Sequence, residues 1–130
     1  MNVEALISAA KKAMLGAYAP YSGYKVGAAL MCRDGEIITG CNIENASYSP
    51  TICAERVAFA KAVSEGKRDF VAIAVCGGKD GVIEGLFPPC GVCRQVMAEF
   101  CKEDFEIYMI SPEGYEKRTL PQILPDRFIL

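Results

Sequence analysis

Three cysteines and one glutamate in this chain have the spacing expected of a metal site with its own proton carrier. Cys53 and Glu55 stand two positions apart, and Cys90 and Cys93 form a C-x-x-C pair directly after two prolines. The chain contains no histidine, so any metal it binds must be held by thiolates and carboxylates. A hydrolytic zinc site needs three protein ligands, an open fourth position for water and a nearby group that moves protons. The four residues meet these requirements.

The spacing also indicates the type of reaction. Zinc deaminases that act on cytosine or adenine carry one ligand two positions before a glutamate and two more in a C-x-x-C pair preceded by proline. The C-A-E segment that begins at Cys53 and the P-C-G-V-C segment that begins at Pro89 follow this layout, with cysteine at every ligand position. We therefore expect Glu55 to be the catalytic proton shuttle. The predicted ligands of one Zn²⁺ per subunit are Cys53, Cys90 and Cys93.

The negative charge of such a site must be compensated by a nearby positive group. A divalent ion bound by three thiolates is formally anionic, so it acidifies bound water less than an ion held by neutral histidines. Arg56, next to Glu55, and Arg94, next to Cys93, are the candidates to donate hydrogen bonds to sulfur. We expect Arg56 to have this role, against the commoner fate of an arginine as a helix-surface residue.

Beyond the metal motif, the chain resembles the small, homotetrameric, zinc-dependent cytidine deaminases along nearly its whole length. The resemblance implies hydrolytic deamination of cytidine and deoxycytidine to uridine and deoxyuridine plus ammonia, a reaction of pyrimidine salvage. It also implies a homotetramer with a small nucleoside substrate. The matching segments are P-Y-S at 20–22, V-G-A-A at 26–29, G-C-N-I-E-N-A at 40–46, C-A-E-R at 53–56 and P-C-G-V-C-R-Q at 89–95.

The same resemblance assigns substrate contacts. It implies that Asn42 and Glu44 hydrogen-bond the ribose hydroxyls and that Ala54 contacts the substrate. Because Asn42 and Glu44 alternate along an extended segment, both side chains can face one pocket, and an amide with a carboxylate suits paired hydroxyls. Tyr24 stands where family members often have a phenylalanine that lines the pyrimidine pocket.

Two aromatic residues resemble family residues that reach the site of a neighbouring subunit. These are Tyr48 and Phe128, and the alternative for each is a place in the core or in a subunit interface. The chain is somewhat richer in apolar residues than an average globular protein. That excess is consistent with buried subunit interfaces and equally with a well-filled core.

Hydrophobic patterning predicts the elements that must position these residues. Apolar residues recur at helical spacing from Val3 to Met14, and two apolar runs flank Asp34-Gly35, a strong hairpin signal. The pattern predicts a mixed sheet covered on both faces, and the resemblance implies an α/β fold, a three-layer α/β/α sandwich with a central five-stranded sheet. We expect one domain over 1–130. The other expected elements are helices over 53–64 and 90–101, strands over 26–32, 37–41, 71–76, 106–110 and 115–119, and a short helix within 120–130.

Charge and composition exclude several classes of protein. The net charge is −2 and no block of lysine and arginine occurs, so a nucleic-acid partner is not expected. No apolar run is long enough for a membrane span, and the first residues lack the order of a signal peptide, which predicts a cytoplasmic protein without a membrane partner. The four remaining cysteines fall in or beside apolar segments and are given no chemistry. They are Cys32, Cys41, Cys76 and Cys101.

Other functions would account for only part of this pattern. A deaminase for another cytosine-containing small molecule, such as a nucleoside antibiotic, shares the metal signature, but the N-I-E-N segment from Asn42 favours a nucleoside. A non-catalytic structural zinc module requires a fourth ligand, and no second C-x-x-C pair supplies it. A thiol redox protein that used Cys90 and Cys93 would leave Cys53 and Glu55 unexplained.

Overall fold

A five-stranded sheet lies at the centre of the computed structural model, which describes residues 1–130. The strand order is β2-β1-β3-β4-β5; β3 and β4 pair in parallel and the other neighbours are antiparallel. The sheet is therefore mixed, as predicted. Its elements are α1 (Val3–Met14), β1 (Tyr24–Cys32), β2 (Ile37–Cys41), α2 (Ala54–Ser64), β3 (Phe70–Lys79), α3 (Gly91–Phe100), β4 (Glu106–Ser111), β5 (Gly114–Thr119) and α4 (Leu120–Ile123).

Helices cover both faces of the sheet. Side chains alternate along β1, so that Leu30 points to the face covered by α2 and α3, and Met31 points to the face covered by α1. On the first face, Phe59 of α2 and Met97 of α3 are fully buried. On the second face, Leu6 of α1 is fully buried. The predicted three-layer α/β/α sandwich is confirmed.

The predicted hairpin joins β1 to β2. Met31 pairs with Ile37, and the Cys32 nitrogen donates to the Glu36 carbonyl across the turn. Gly35 has φ of 95°, a left-handed conformation that a residue without Cβ adopts at little cost. The left-handed conformation of Gly35 therefore explains why Asp34-Gly35 predicts a hairpin turn here.

Strand β3 differs most in length from the prediction. Strand β3 continues three residues past Cys76 because it remains paired with β1 as far as Tyr24, which lies opposite Lys79. Helix α4 is the short helix expected within 120–130, and it ends at Ile123. Pro125 explains the stop, since the residue before a proline is disfavoured in helical conformation, and Leu124 has φ of −143°.

Close contact between β2 and α2 fixes where the second helix begins. A Cβ on Gly40 would clash with the Ala54 carbonyl oxygen and lie 2.6 Å from the Ala58 nitrogen. Only a residue without a side chain allows the helix to approach the strand this closely. Ala54 is the first residue of α2 and Cys53 is its N-cap. The contact with Gly40 therefore also fixes the position of Cys53. None of the helices has the length and apolar character needed to cross a membrane.

Candidate active site

Two helices begin at the same place, and each begins with a cysteine. Cys53 is the N-cap of α2 and Cys90 is the N-cap of α3; both have extended backbone, and neither makes a side-chain capping hydrogen bond. Glu55 and Cys93 follow in the first turns of these helices. The positive end of each helix dipole therefore faces these side chains and favours their anionic forms.

The three sulfurs have the spacing of ligands to one tetrahedral ion. The Sγ of Cys90 lies 3.8 Å from that of Cys53 and 3.6 Å from that of Cys93, and all three lie within 4.8 Å of one another. Thiolates bound to one zinc ion at about 2.3 Å in tetrahedral geometry stand about 3.8 Å apart. No fourth cysteine or carboxylate joins this group. The donor set thus fits a catalytic zinc ion with one open position, which a closed structural site lacks.

The thiols of Cys53 and Cys93 are linked in their protonation. A hydrogen bond from Cys93, aided by Arg56, lowers the pKa of Cys53 to about 5 against the opposing effect of burial. The same interaction with Cys53, together with burial, raises the pKa of Cys93. The pair therefore releases its first proton readily from Cys53, while the second requires a bound cation that stabilises both thiolates.

Glu55 is a buried carboxyl group with an unusual acidity. Only 3% of its surface is exposed, and burial, with a smaller contribution from the charge of Cys53, raises its pKa to about 7. A group with a pKa near neutrality can both accept and return a proton under physiological conditions. The position and acidity of Glu55 suit a proton shuttle.

The two candidate arginines make different contacts. Arg56 Nη2 donates to Cys53 Sγ at 3.5 Å. Arg94 instead donates to two backbone carbonyls, from Nε to Pro89 at 2.8 Å and from Nη1 to Ile123 at 2.6 Å. Of the two residues, only Arg56 contacts sulfur, whereas Arg94 braces the turn before α3 against α4.

A cleft of about 200 Å³ opens beside the cysteines and contains most of the predicted site residues. Asn42, Glu44, Tyr24 and Ala54 all line it together with Cys53, Cys90 and Glu55. A larger surface hollow of about 430 Å³ lies between 32–34 and 67–69, away from the cysteine cluster. The other cleft residues are Ser22, Val26, Thr51, Ile52, Phe87 and Pro88.

Asn42 is held across β1 by its amide group. Its Oδ1 accepts from the Val26 nitrogen at 2.8 Å and its Nδ2 donates to the Tyr24 carbonyl at 2.7 Å. The side chain is buried, and one N–H and one lone pair of the amide have no partner in these two bonds. Asn42 can thus both stiffen the strand and face a ligand.

Glu44 is oriented by the turn before β1. Its carboxylate accepts hydrogen bonds from the Tyr21 nitrogen at 2.9 Å, from the Ser22 nitrogen at 3.1 Å and from the Ser22 hydroxyl. The bonds from Ser22, followed by the bond from Tyr21, lower the pKa of Glu44 below its ordinary value. The carboxylate therefore reaches the cleft ionised and in a fixed direction.

Tyr48 and Phe128 lie outside the cleft of their own chain. Their side chains are largely exposed, Tyr48 at 86% and Phe128 at 66%. The core position weighed as an alternative for each is therefore wrong. Within a single chain, neither residue reaches the cysteines or Glu55.

Phe87 and Ser22 belong to the site but were assigned no role from the sequence. The Phe87 ring centroid lies 6.3 Å from that of Tyr24, so the two rings line the same part of the cleft. The only sequence signal for Phe87 is its place just before the two prolines and Cys90. Ser22 lies within a matching segment, yet nothing in the sequence links it to Glu44, which is 22 positions away.

Comparisons with known proteins show which family the chain resembles. Residues 1–109 match the family model described as the cytidine and deoxycytidylate deaminase zinc-binding region. The chain is 50% identical over 129 residues to cytidine deaminases of Sporosarcina psychrophila and Halalkalibacterium halodurans, with 98% of this chain covered in each case and 92% and 95% of the relatives.

Solved structures show the same similarity. The crystal structure of cytidine deaminase from Burkholderia pseudomallei superposes with a TM-score of 0.90 at 46% identity, covering 98% of this chain and 100% of that one. Among relatives found by sequence, a more distant match is the blasticidin-S deaminase of Bacillus cereus, at 30% identity over 109 residues, with 81% of this chain and 77% of that protein covered.

Proposed function

This chain belongs to the zinc-dependent cytidine deaminase family, and from that premise we propose that it hydrolyses cytidine and deoxycytidine to uridine and deoxyuridine with release of ammonia. The observation that carries the proposal is a single cleft. It joins a three-sulfur cluster, a buried carboxyl group and an amide–carboxylate pair suited to sugar hydroxyls. Zinc, held by Cys53, Cys90 and Cys93, is the cofactor.

Glu55 moves the protons of the reaction in this proposal. Bound zinc supplies Lewis-acid activation of water. Glu55 takes a proton from the attacking water and delivers it to the ring nitrogen next to the carbon that bears the amino group. Attack of the water oxygen forms the new C–O bond. Glu55 then takes the second proton from that oxygen and delivers it to the exocyclic amine, so the C–N bond breaks and ammonia leaves. Burial of Glu55 keeps its acidity in the range that both transfers need.

The rest of the cleft holds the nucleoside. Asn42 and Glu44 bind the ribose hydroxyls, and Tyr24, with Phe87 beside it, lines the space for the pyrimidine ring. Ala54, at the start of α2, contacts the base. No lysine or arginine lines the cleft, so nothing there compensates the charge of a phosphate. This supports a free nucleoside over a nucleotide or a polynucleotide as the substrate.

The alternatives fit the site less well. A structural zinc module would close the coordination sphere with a fourth ligand, and the cluster has three. A deaminase for an antibiotic would share the sulfurs and Glu55. Asn42 and Glu44 both line the cleft, and an amide with a carboxylate suits the hydroxyls of an unmodified ribose, which favours a simple nucleoside.

Assembly and location extend the proposal. We propose a homotetramer in which Tyr48 and Phe128 contact the cleft of a neighbouring subunit, supported by their exposure in the single chain. One domain over 1–130 and a cytoplasmic location remain predictions from the sequence. Light scattering of the purified protein would test the subunit number, and a monomer with full activity would contradict the shared site.

Ammonia release tests the proposed reaction directly. Purified protein is incubated separately with cytidine, deoxycytidine and deoxycytidine monophosphate, with and without a zinc chelator. We expect release from both nucleosides, much less from the nucleotide, and loss of activity with the chelator that added zinc restores. Absence of release from either nucleoside by zinc-loaded protein would overturn the proposed function.

A further inference from the structure

Lys79, the last residue of β3, crosses to the turn that precedes β1. Its Nζ donates to the Ser22 carbonyl oxygen at 2.8 Å and lies 5.3 Å from the centroid of the Tyr24 ring. The first contact is a hydrogen bond from a charged donor, and the second has the distance of a cation–π interaction. One ammonium group thus contacts two residues that line the cleft, although Lys79 does not line it.

Gly23 lies directly beneath the end of the Lys79 side chain. Its φ is 76°, and a Cβ at this position would lie 3.0 Å from Lys79 Nζ and 3.1 Å from Lys79 Cε. The Gly23 carbonyl also accepts a hydrogen bond from the Asp80 nitrogen at 2.7 Å. Two hydrogen bonds and a packed side chain therefore join the 22–24 turn to the 79–80 turn.

Ser22 connects this junction to Glu44. The Ser22 nitrogen and hydroxyl both donate to the Glu44 carboxylate, and its hydroxyl oxygen accepts from the Tyr24 nitrogen at 3.0 Å. The carbonyl of the same residue is the group that Lys79 binds. Fixing that carbonyl restricts rotation of the Ser22 backbone, so the direction of both donors toward Glu44 is fixed as well.

We propose that Lys79 is a positioning residue for nucleoside binding, which acts chiefly by holding Ser22 in place behind Glu44, with its contact on the Tyr24 ring as a smaller contribution. This inference rests on the proposed function, in which Glu44 binds the ribose. Lys79 contributes no contact to the substrate and lies outside the cysteine cluster. Its removal therefore weakens substrate binding and leaves the chemical step intact.

Steady-state kinetics of Lys79→Met tests the inference. We expect KM for cytidine to rise about three- to tenfold, the range for loss of an exposed charged contact, with kcat within about twofold. Lys79→Arg keeps a cation that can reach the carbonyl and stack on the ring, so it should recover most of the loss. Lys12→Met removes an equal charge from the exposed side of α1 and should leave KM unchanged.

A second measurement separates positioning from general damage. In a Glu44→Gln background, Lys79→Met should raise KM much less than in the unmodified chain, because both changes disturb the same interaction. Calorimetric binding of cytidine to Glu55→Gln protein, with and without Lys79→Met, should show the same weakening without turnover. Lys79→Gln, with its thermal midpoint recorded, replaces the Met variant if that variant does not fold.

The outcomes distinguish this inference from the proposed function. If the unmodified protein deaminates cytidine and Lys79→Met leaves KM unchanged, or raises it equally in both backgrounds, the positioning role is wrong and the enzyme assignment stands. If the unmodified protein neither binds nor deaminates cytidine, the proposed function is wrong, and the inference that rests on it is wrong as well.

Discussion

Arg56 reaches back along α2 to Cys53, three positions earlier, and its Nη2 lies 3.5 Å from the Sγ of that cysteine. Its Nε is buried and makes no hydrogen bond within the chain. The guanidinium group thus places a positive charge in contact with the thiolate cluster. Because three thiolates give the metal site a formal negative charge, this contact bears directly on how easily water loses a proton there.

Replacing Arg56 with alanine should preserve zinc but move the pH dependence of activity. Without the positive charge, deprotonation at the site becomes less favourable, so the rising limb of the plot of kcat against pH should shift to higher pH. Zinc content per chain and kcat between pH 5 and 9 are the measurements. Arg56→Lys, which retains the charge, should shift less, and a profile identical to that of the unmodified enzyme would refute the role of Arg56.

Replacing Glu55 with glutamine should abolish most turnover and leave the fold and the metal in place. Glutamine has nearly the same shape as glutamate but carries no titratable proton, so the two proton transfers lose their carrier. We expect kcat to fall by at least about a thousandfold, within the range of general acid–base catalysis. Circular dichroism and zinc analysis are the controls, and near-normal turnover would remove Glu55 from this role.

Replacing Ser22 with alanine should raise KM for cytidine, and more so at low pH. Hydrogen bonds from Ser22 depress the pKa of Glu44, so the carboxylate stays ionised as pH falls below the usual value for a glutamate. Loss of the hydroxyl raises that pKa, so binding should begin to weaken at a higher pH than in the unmodified enzyme. KM measured from pH 4 to 8 tests this, with Ser22→Thr as the variant that keeps the hydroxyl. A KM curve for Ser22→Ala that parallels the unmodified one at every pH would contradict the role given to the hydroxyl.

Replacing Gly40 with alanine should lower both the folding stability and the zinc content of the protein, although Gly40 is not a metal ligand. The added methyl group meets the Ala54 carbonyl and the Ala58 nitrogen, so α2 must move away from β2. Overpacking of this kind costs about 1 to 3 kcal/mol of folding free energy. Urea unfolding and zinc content should both show the loss. Gly85→Ala, where a Cβ meets nothing within 4 Å, is the matched control.

Local signals sufficed to predict most of the fold. The helical spacing from Val3 to Met14 and the Asp34-Gly35 turn correspond to elements found close to their predicted bounds. The prediction was less accurate where pairing with a distant strand determines the length of an element. Strand β3, for example, continues to Lys79 because Lys79 pairs with Tyr24 of β1. Such long-range pairing leaves no trace in a local window of sequence.

In the candidate site too, some residues were predictable from the sequence and others were not. The meeting of Cys53, Cys90 and Cys93 beside Glu55 was predictable because ligand chemistry demands particular residue types at short spacing. Phe87 and Lys79 were not predicted, since their roles depend on contacts with residues more than 50 positions earlier in the chain, such as the hydrogen bond that Lys79 makes 57 positions away. A phenylalanine or an exposed lysine has no signature of its own.

Cys53 and Cys90 each begin a helix, and they stand 37 positions apart in the chain. An ion bound to both closes all of the intervening chain into a loop, much as a covalent crosslink would. Departure of the ion would free the starting turns of both helices together, so this half of the molecule would open to proteases at the moment it became inactive. Chelation of zinc should therefore lower the activity of the protein and its resistance to proteolysis together.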